Sequence, residues 1–99
     1  MHIITRTRLT AFGAKHTAAL EPLLAWERVV RRKRYRNAAE VKSDFPSVDF
    51  IGKGRAVFNI SRNDYRLVVT MNFRGRGLVL VRHVLTHREY DRLIARGAL

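Results

Sequence analysis

Cysteine is absent from the 99 residues, which excludes disulfide staples, thiolate zinc sites and thiol nucleophiles. Carboxylates are scarce, eight against twenty Lys and Arg. The scarcity leaves no paired carboxylates for general acid–base work. The four histidines, His2, His16, His83 and His87, have no acidic cluster around them, so no metal site is expected. Nucleophilic-serine and phosphate-loop motifs are also missing, and no cofactor is implied. No apolar run approaches the roughly 18 residues of a membrane span. Met1 to Arg6 lacks the long apolar stretch and small-residue cleavage site of a signal peptide, so a cytoplasmic chain is expected.

What the chain has in excess is positive charge. Its formal net charge is +12 and 16 of the 20 cations are Arg. Arginine grips phosphate through a planar fork, where lysine is a solvated point charge. The charge is spread over both halves of the chain, so it does not read as one membrane-binding amphipathic helix. Polyanion binding, above all to nucleic acid, is the expectation. A hydrophobic fraction of 46% supplies a modest core. Without repeat or linker, residues 1–99 read as a single domain.

His2-Ile3-Ile4-Thr5 predicts a short strand and Arg8–His16 a short helix weakened by Gly13. Leu20, Leu23, Leu24 and Val30 form the apolar stripe of the best helix. Pro22 suits a first turn, which predicts a start near Leu20–Glu21. The run Arg31-Arg32-Lys33-Arg34-Tyr35-Arg36 reads equally as a solvated helix end and as a phosphate-backbone contact. A short helix capped by Asn37 ends at Phe45-Pro46, and Asp49–Gly54 is expected as a turn. From Arg55 the period becomes that of strands: Arg55–Ile60, Tyr65–Met71 and Leu78–Leu85 form a meander. A last helix opens with the capping box Thr86-x-x-Glu89, and Gly97 marks its stop. The expected class is α+β, a small three- to four-stranded antiparallel sheet with helices packed on one face.

Strand parity locates the first candidate site residue. A hairpin loop of two or four residues puts Asn59 and Arg66 on one face, while Tyr65, Leu67, Val69 and Met71 turn to the core. Arg66 then reads as a cation on a polar face, or as an ordinary exposed strand arginine. His87 stands at the first position of the last helix. Free N–H groups there favour an anion, and the positive dipole end favours a neutral imidazole that can accept a proton. It reads also as a plain surface histidine. Tyr90, one turn on, reads as core or as a stacking platform for a base. Gly75-Arg76-Gly77 reads as a turn.

Several segments in order resemble one family. They are Ile3-Ile4-Thr5-Arg6, Leu24-Ala25-Trp26, Val41 to Phe50, Val57-Phe58-Asn59-Ile60, Asn63-Asp64-Tyr65-Arg66-Leu67-Val68 and Thr86-His87-Arg88-Glu89-Tyr90-Asp91. Together they are similar to the HigB toxins of the RelE-like superfamily, across nearly the whole chain. The resemblance implies a ribosome-dependent mRNA endoribonuclease that cleaves by attack of the RNA's own 2′-OH. It also implies a HigA-type helix-turn-helix antitoxin that neutralises the toxin, with operator DNA bound only through that complex. It implies Arg66 as stabiliser of the scissile phosphate, His87 as acid/base and Tyr90 as a positioning or stacking group. The sequence departs from relatives that carry lysines on the preceding strand, having Val57, Asn59 and Ser61 there. Asn59 can hydrogen-bond RNA without adding charge, and Lys53, Arg55, Arg74 and Arg82 are the candidate replacement cations. The rival readings are a non-catalytic RNA- or ribosome-binding module and a basic partner for an acidic protein segment.

Overall fold

A computed structural model describes residues 1–98. Its helices are α1 (Thr7–Lys15), α2 (Thr17–Arg32), α3 (Ala38–Asp44) and α4 (His87–Ala95). Its strands are β1 (His2–Ile4), β2 (Asp49–Gly52), β3 (Arg55–Ile60), β4 (Tyr65–Asn72) and β5 (Leu78–Thr86). They form one sheet in the order β1-β5-β4-β3-β2. β1 runs parallel to β5 and the other pairs are antiparallel. The class is α+β, with five strands where three to four were expected.

The additional strand is β2, in the segment expected as a turn. Asp49 pairs with Val57 and Phe50 with Ala56. Phe50 packs against the core, and that burial favours an extended segment over a loop. Gly52 still pairs with Arg55, so only Lys53-Gly54 remains as the turn, and Gly52, Lys53 and Gly54 all have positive φ.

Helix α2 also starts earlier than its proline suggested. Thr17 opens it, Ala19 N–H donates to the His16 carbonyl at 2.9 Å, and Pro22 lies inside. An internal proline costs about 3 kcal/mol. Burial of Leu23, Trp26 and Val30 on the same helix contributes about 1.5–3 kcal/mol each, which outweighs it. Gly13 has a packing role: a Cβ there would lie 2.6 Å from Leu20 Cδ1. The glycine that lowers helix propensity thus allows α1 and α2 to cross closely.

The core lies between the α1–α2 pair and one sheet face. Trp26 and Phe45 both meet Phe58 edge-on, at centroid distances of 5.4 and 5.1 Å. Val57 and Val68 are buried outside this cluster, on the second face.

The basic run after α2 divides by role. Tyr35 is buried, and its hydroxyl donates to Asp44 Oδ2 at 2.6 Å. Lys33 reaches the same carboxylate at 3.3 Å. Arg34 donates to the carbonyls of Phe73 and Gly75, at 2.7 and 2.6 Å, and ties α2 to the β4–β5 loop. Arg31, Arg32 and Arg36 are exposed. The run is therefore partly structural, which its charge alone did not distinguish.

Gly77 is more than a turn residue. It holds φ +75, and a Cβ would come within 2.7 Å of Met1 Sδ and 3.0 Å of Arg34 Nη1. Gly77→Ala is expected to cost about 1–3 kcal/mol, from left-handed strain and overpacking, measured by urea unfolding. An unchanged midpoint would contradict this packing.

Glu27 is buried and accepts a charge-assisted pair from Arg6, including Nη2 to Oε1 at 3.1 Å. That hydrogen bonding holds its carboxyl below the ordinary carboxylate range, against burial. The pair therefore stabilises the fold above that range, and the contribution is lost as pH falls through the depressed value. Thermal unfolding of Glu27→Gln should show a deficit at neutral pH that shrinks by about pH 3. A deficit independent of pH would contradict it.

Candidate active site

The β3–β4 hairpin builds the site. Asn59 pairs with Arg66, and the last pair is Ile60 with Tyr65. The loop Ser61–Asp64 has four residues, an even number, so Asn59 and Arg66 share the face away from the core. Three of its residues sit at positive φ, Ser61 at 51, Arg62 at 64 and Asn63 at 117. None is glycine, and left-handed backbone costs such residues about 1–2 kcal/mol each. The loop aims the Asn63 carbonyl at Arg66, whose Nη1 donates to it at 2.8 Å.

Helix α4 brings the second group. Thr86 Oγ1 accepts from Glu89 N–H at 3.2 Å, and Glu89 Oε1 accepts from Thr86 N–H at 2.8 Å. This capping box fixes where the helix starts, and so the position of His87. His87 N–H also donates to the Asp64 carbonyl at 3.1 Å, joining the helix start to the hairpin loop.

The side chains then converge. Arg66 Nη2 lies 3.0 Å from His87 Nδ1, and His87 Nε2 lies 3.2 Å from Asp91 Oδ2. A guanidinium only donates. His87 Nδ1 must therefore accept, which places the ring proton on Nε2, facing the Asp91 carboxylate. Asp91, Arg66 and His87 form one directed chain of hydrogen bonds. Tyr90 covers it from the next turn, with Arg66 Cζ 5.6 Å from its ring centroid. Burial, aided by Asp49 and opposed by Arg66, pushes the Tyr90 hydroxyl pKa up, so the phenol stays protonated.

The other predicted contacts lie elsewhere on the sheet. Asn59 is directly beside Arg66. Arg55 pairs with Thr70, four residues along β4 from Arg66, or about 13 Å at strand rise. Lys53 lies in the β2–β3 turn and Arg74 beyond the end of β4, both at the opposite end of the sheet. Arg82 occupies an irregularity in β5, where Val68 pairs with His83 and Val69 with Val81. The structure thus joins Arg66, His87, Tyr90 and Asn59, and disperses Lys53, Arg55, Arg74 and Arg82.

Sequence reasoning missed Asp91 and the left-handed loop. Asp91 stands four residues after His87, the spacing that puts two helical side chains in contact. The loop had no glycine to signal it. Among the described residues, no three His, Asp or Glu side chains converge as metal ligands.

This arrangement, an arginine and a histidine paired on the open face of a small basic α+β domain, fits a protein that handles phosphate. Residues 19–93 match the HigB toxin family, the RelE-like toxic component of a toxin–antitoxin system. The chain is 30% identical over 94 residues to the mRNA interferase toxin HigB of Escherichia coli strain K12. That alignment covers 92% of this chain and 88% of the relative. The mRNA interferase HigB of Shigella flexneri aligns to the same extent. That of Escherichia coli O6:H1 is 26% identical over 95 residues, covering 94% of this chain and 91% of its own. The chain belongs to the HigB toxin family.

Replacing Arg62 by glycine should relieve one left-handed position and raise stability by about 1 kcal/mol, read from the unfolding midpoint. A loss of stability would mean that the arginine side chain outweighs the backbone strain.

Proposed function

We propose that this chain is an mRNA endoribonuclease that cuts message on the translating ribosome, with Arg66 and His87 at the reacting phosphate. The observation that carries the reading is the 3.0 Å pairing of Arg66 with His87. It sits on the open sheet face of a chain with net charge +12. The family and the mRNA interferase names of its relatives support the substrate class.

The RNA's own 2′-oxygen attacks phosphorus and the bond to the 5′-oxygen breaks, leaving a 2′,3′-cyclic phosphate and a 5′-hydroxyl. Arg66 stabilises the charge that builds on the phosphoryl oxygens. When a phosphate takes the guanidinium's donors, His87 Nδ1 is released to take or return a proton. Asp91 holds the ring in the tautomer that leaves Nδ1 free. Tyr90 keeps the guanidinium plane in place and offers its ring to a neighbouring base. Asn59 supplies a neutral donor beside Arg66. A HigA-type helix-turn-helix antitoxin neutralises the toxin and carries the complex to operator DNA.

Inducing the wild type should arrest growth and break translated messages, as primer extension reads. Arg66→Ala and His87→Ala should each reduce cleavage about 10²–10³-fold with an unchanged circular dichroism spectrum. Growth arrest by folded variants with intact message would favour a non-catalytic RNA- or ribosome-binding block.

Asp91→Ala should lower cleavage about tenfold, or ~1.4 kcal/mol. Nitrogen NMR of His87 should show the Nε2–H tautomer in the wild type and a mixture in the variant. An unchanged tautomer would remove Asp91 from this role.

A further inference from the structure

β5 has neighbours on both sides only at its beginning. β1 meets Leu78, Val79 and Leu80, whereas β5 continues to Thr86 with β4 alone. The far end is closed, because Thr86 N–H is taken by Glu89. Between these limits, one side chain among the described residues reaches the open edge: Arg8 Nη1 donates to the Arg82 carbonyl at 2.7 Å. Main-chain groups alternate sides along a strand. The register is regular from His83 to Thr86, so Val84 turns its N–H and C=O to the same edge as the Thr86 N–H, away from β4.

Two hollows follow this edge, one on each side of Arg8. One, of about 280 Å³, lies between α1 and the end of β5, with Ala11, Phe12, Val84 and Leu85 as apolar wall and Lys15 at its rim. The other, of about 240 Å³, lies beside Val81, Arg82 and His83. No carboxylate lines either hollow. Arg8, Lys15 and Arg82 are exposed, and among the described residues none has an ion-pair partner.

We propose that the β5 edge from Val81 to Leu85 takes up an extended acidic segment of a partner protein as a sixth strand, with its carboxylates on Arg8, Lys15 and Arg82. Main-chain pairing supplies affinity in this mode of recognition, and alternate side chains supply specificity. Arg8 exchanges the Arg82 carbonyl for an incoming carboxylate. A second copy of this chain is disfavoured, because the same cations would meet across the edge. A nucleic acid would use the cations but leave the strand's donors, acceptors and apolar wall unmatched. The toxin–antitoxin reading names the source of such a segment, and the edge and its charge specify the segment's chemistry.

The test uses the isotope-labelled full chain and a peptide of about nine alternating Glu and Val residues. Amides of residues 82–85 should shift and gain exchange protection on binding. The same peptide N-methylated at alternate residues keeps its charge and should bind at least about tenfold more weakly. Arg8→Glu should weaken binding similarly, and Lys15→Glu, at an exposed position on α1, gives the same direction if the first variant unfolds. Four results would overturn the proposal: no binding, equal binding of the N-methylated peptide, shifts centred on Arg66 and His87, or tighter edge binding by single-stranded RNA. Message cleavage is measured separately, so failure here leaves the nuclease reading untouched, and the reverse also holds.

Discussion

The Arg66 guanidinium joins three separate parts of this structure. It donates to the Asn63 carbonyl of its own hairpin loop, faces His87 from the last helix and lies under the Tyr90 ring. Each contact depends on a different local feature. The loop supplies the carbonyl because three of its residues accept left-handed backbone. The capping box at Thr86 sets where His87 begins its helix. The β3–β4 register places Asn59 alongside. Shifting that register by one residue would send Arg66 into the core face. The site and the sheet are therefore specified together.

The charge excess looks uniform in sequence and is not uniform in space. Arg6 neutralises buried Glu27, Arg34 clasps the β4–β5 loop, and Lys33 braces Asp44. These cations hold the fold. Arg66 belongs to the site face, while Arg8, Lys15 and Arg82 follow the open edge of β5. A single count of +12 thus combines cations that hold the fold with cations left on its surfaces, and hydrogen-bond partners separate them.

Much of this was legible from residue order. Strand-like patterning marked β3 and β4, and a nearly continuous apolar run marked β5. Thr86-x-x-Glu89 marked the start of α4, and parity put Asn59 and Arg66 on one face. Two elements were hidden for physical reasons. β2 is four residues long, ends in a glycine, and is held by pairing with β3 and by the packing of half-buried Phe50 on the core. Helix α2 continues through Pro22 because tertiary burial outweighs a local penalty. At the site, Asp91 was given no role, because its contact with His87 depends on where the capping box starts the helix. Lys53, Arg55, Arg74 and Arg82 could not be ranked, since nearness to Arg66 depends on which end of the sheet each one occupies.

The central claim is that the RNA supplies its own nucleophile at a phosphate held by Arg66, with His87 moving a proton. The chemistry of the cut ends tests this most directly. Fragments released from translated message by the wild-type protein should carry 5′-hydroxyl and 2′,3′-cyclic phosphate ends. Ends bearing a 5′-phosphate and a 3′-hydroxyl would require an activated water, and would contradict the roles given to Arg66 and His87.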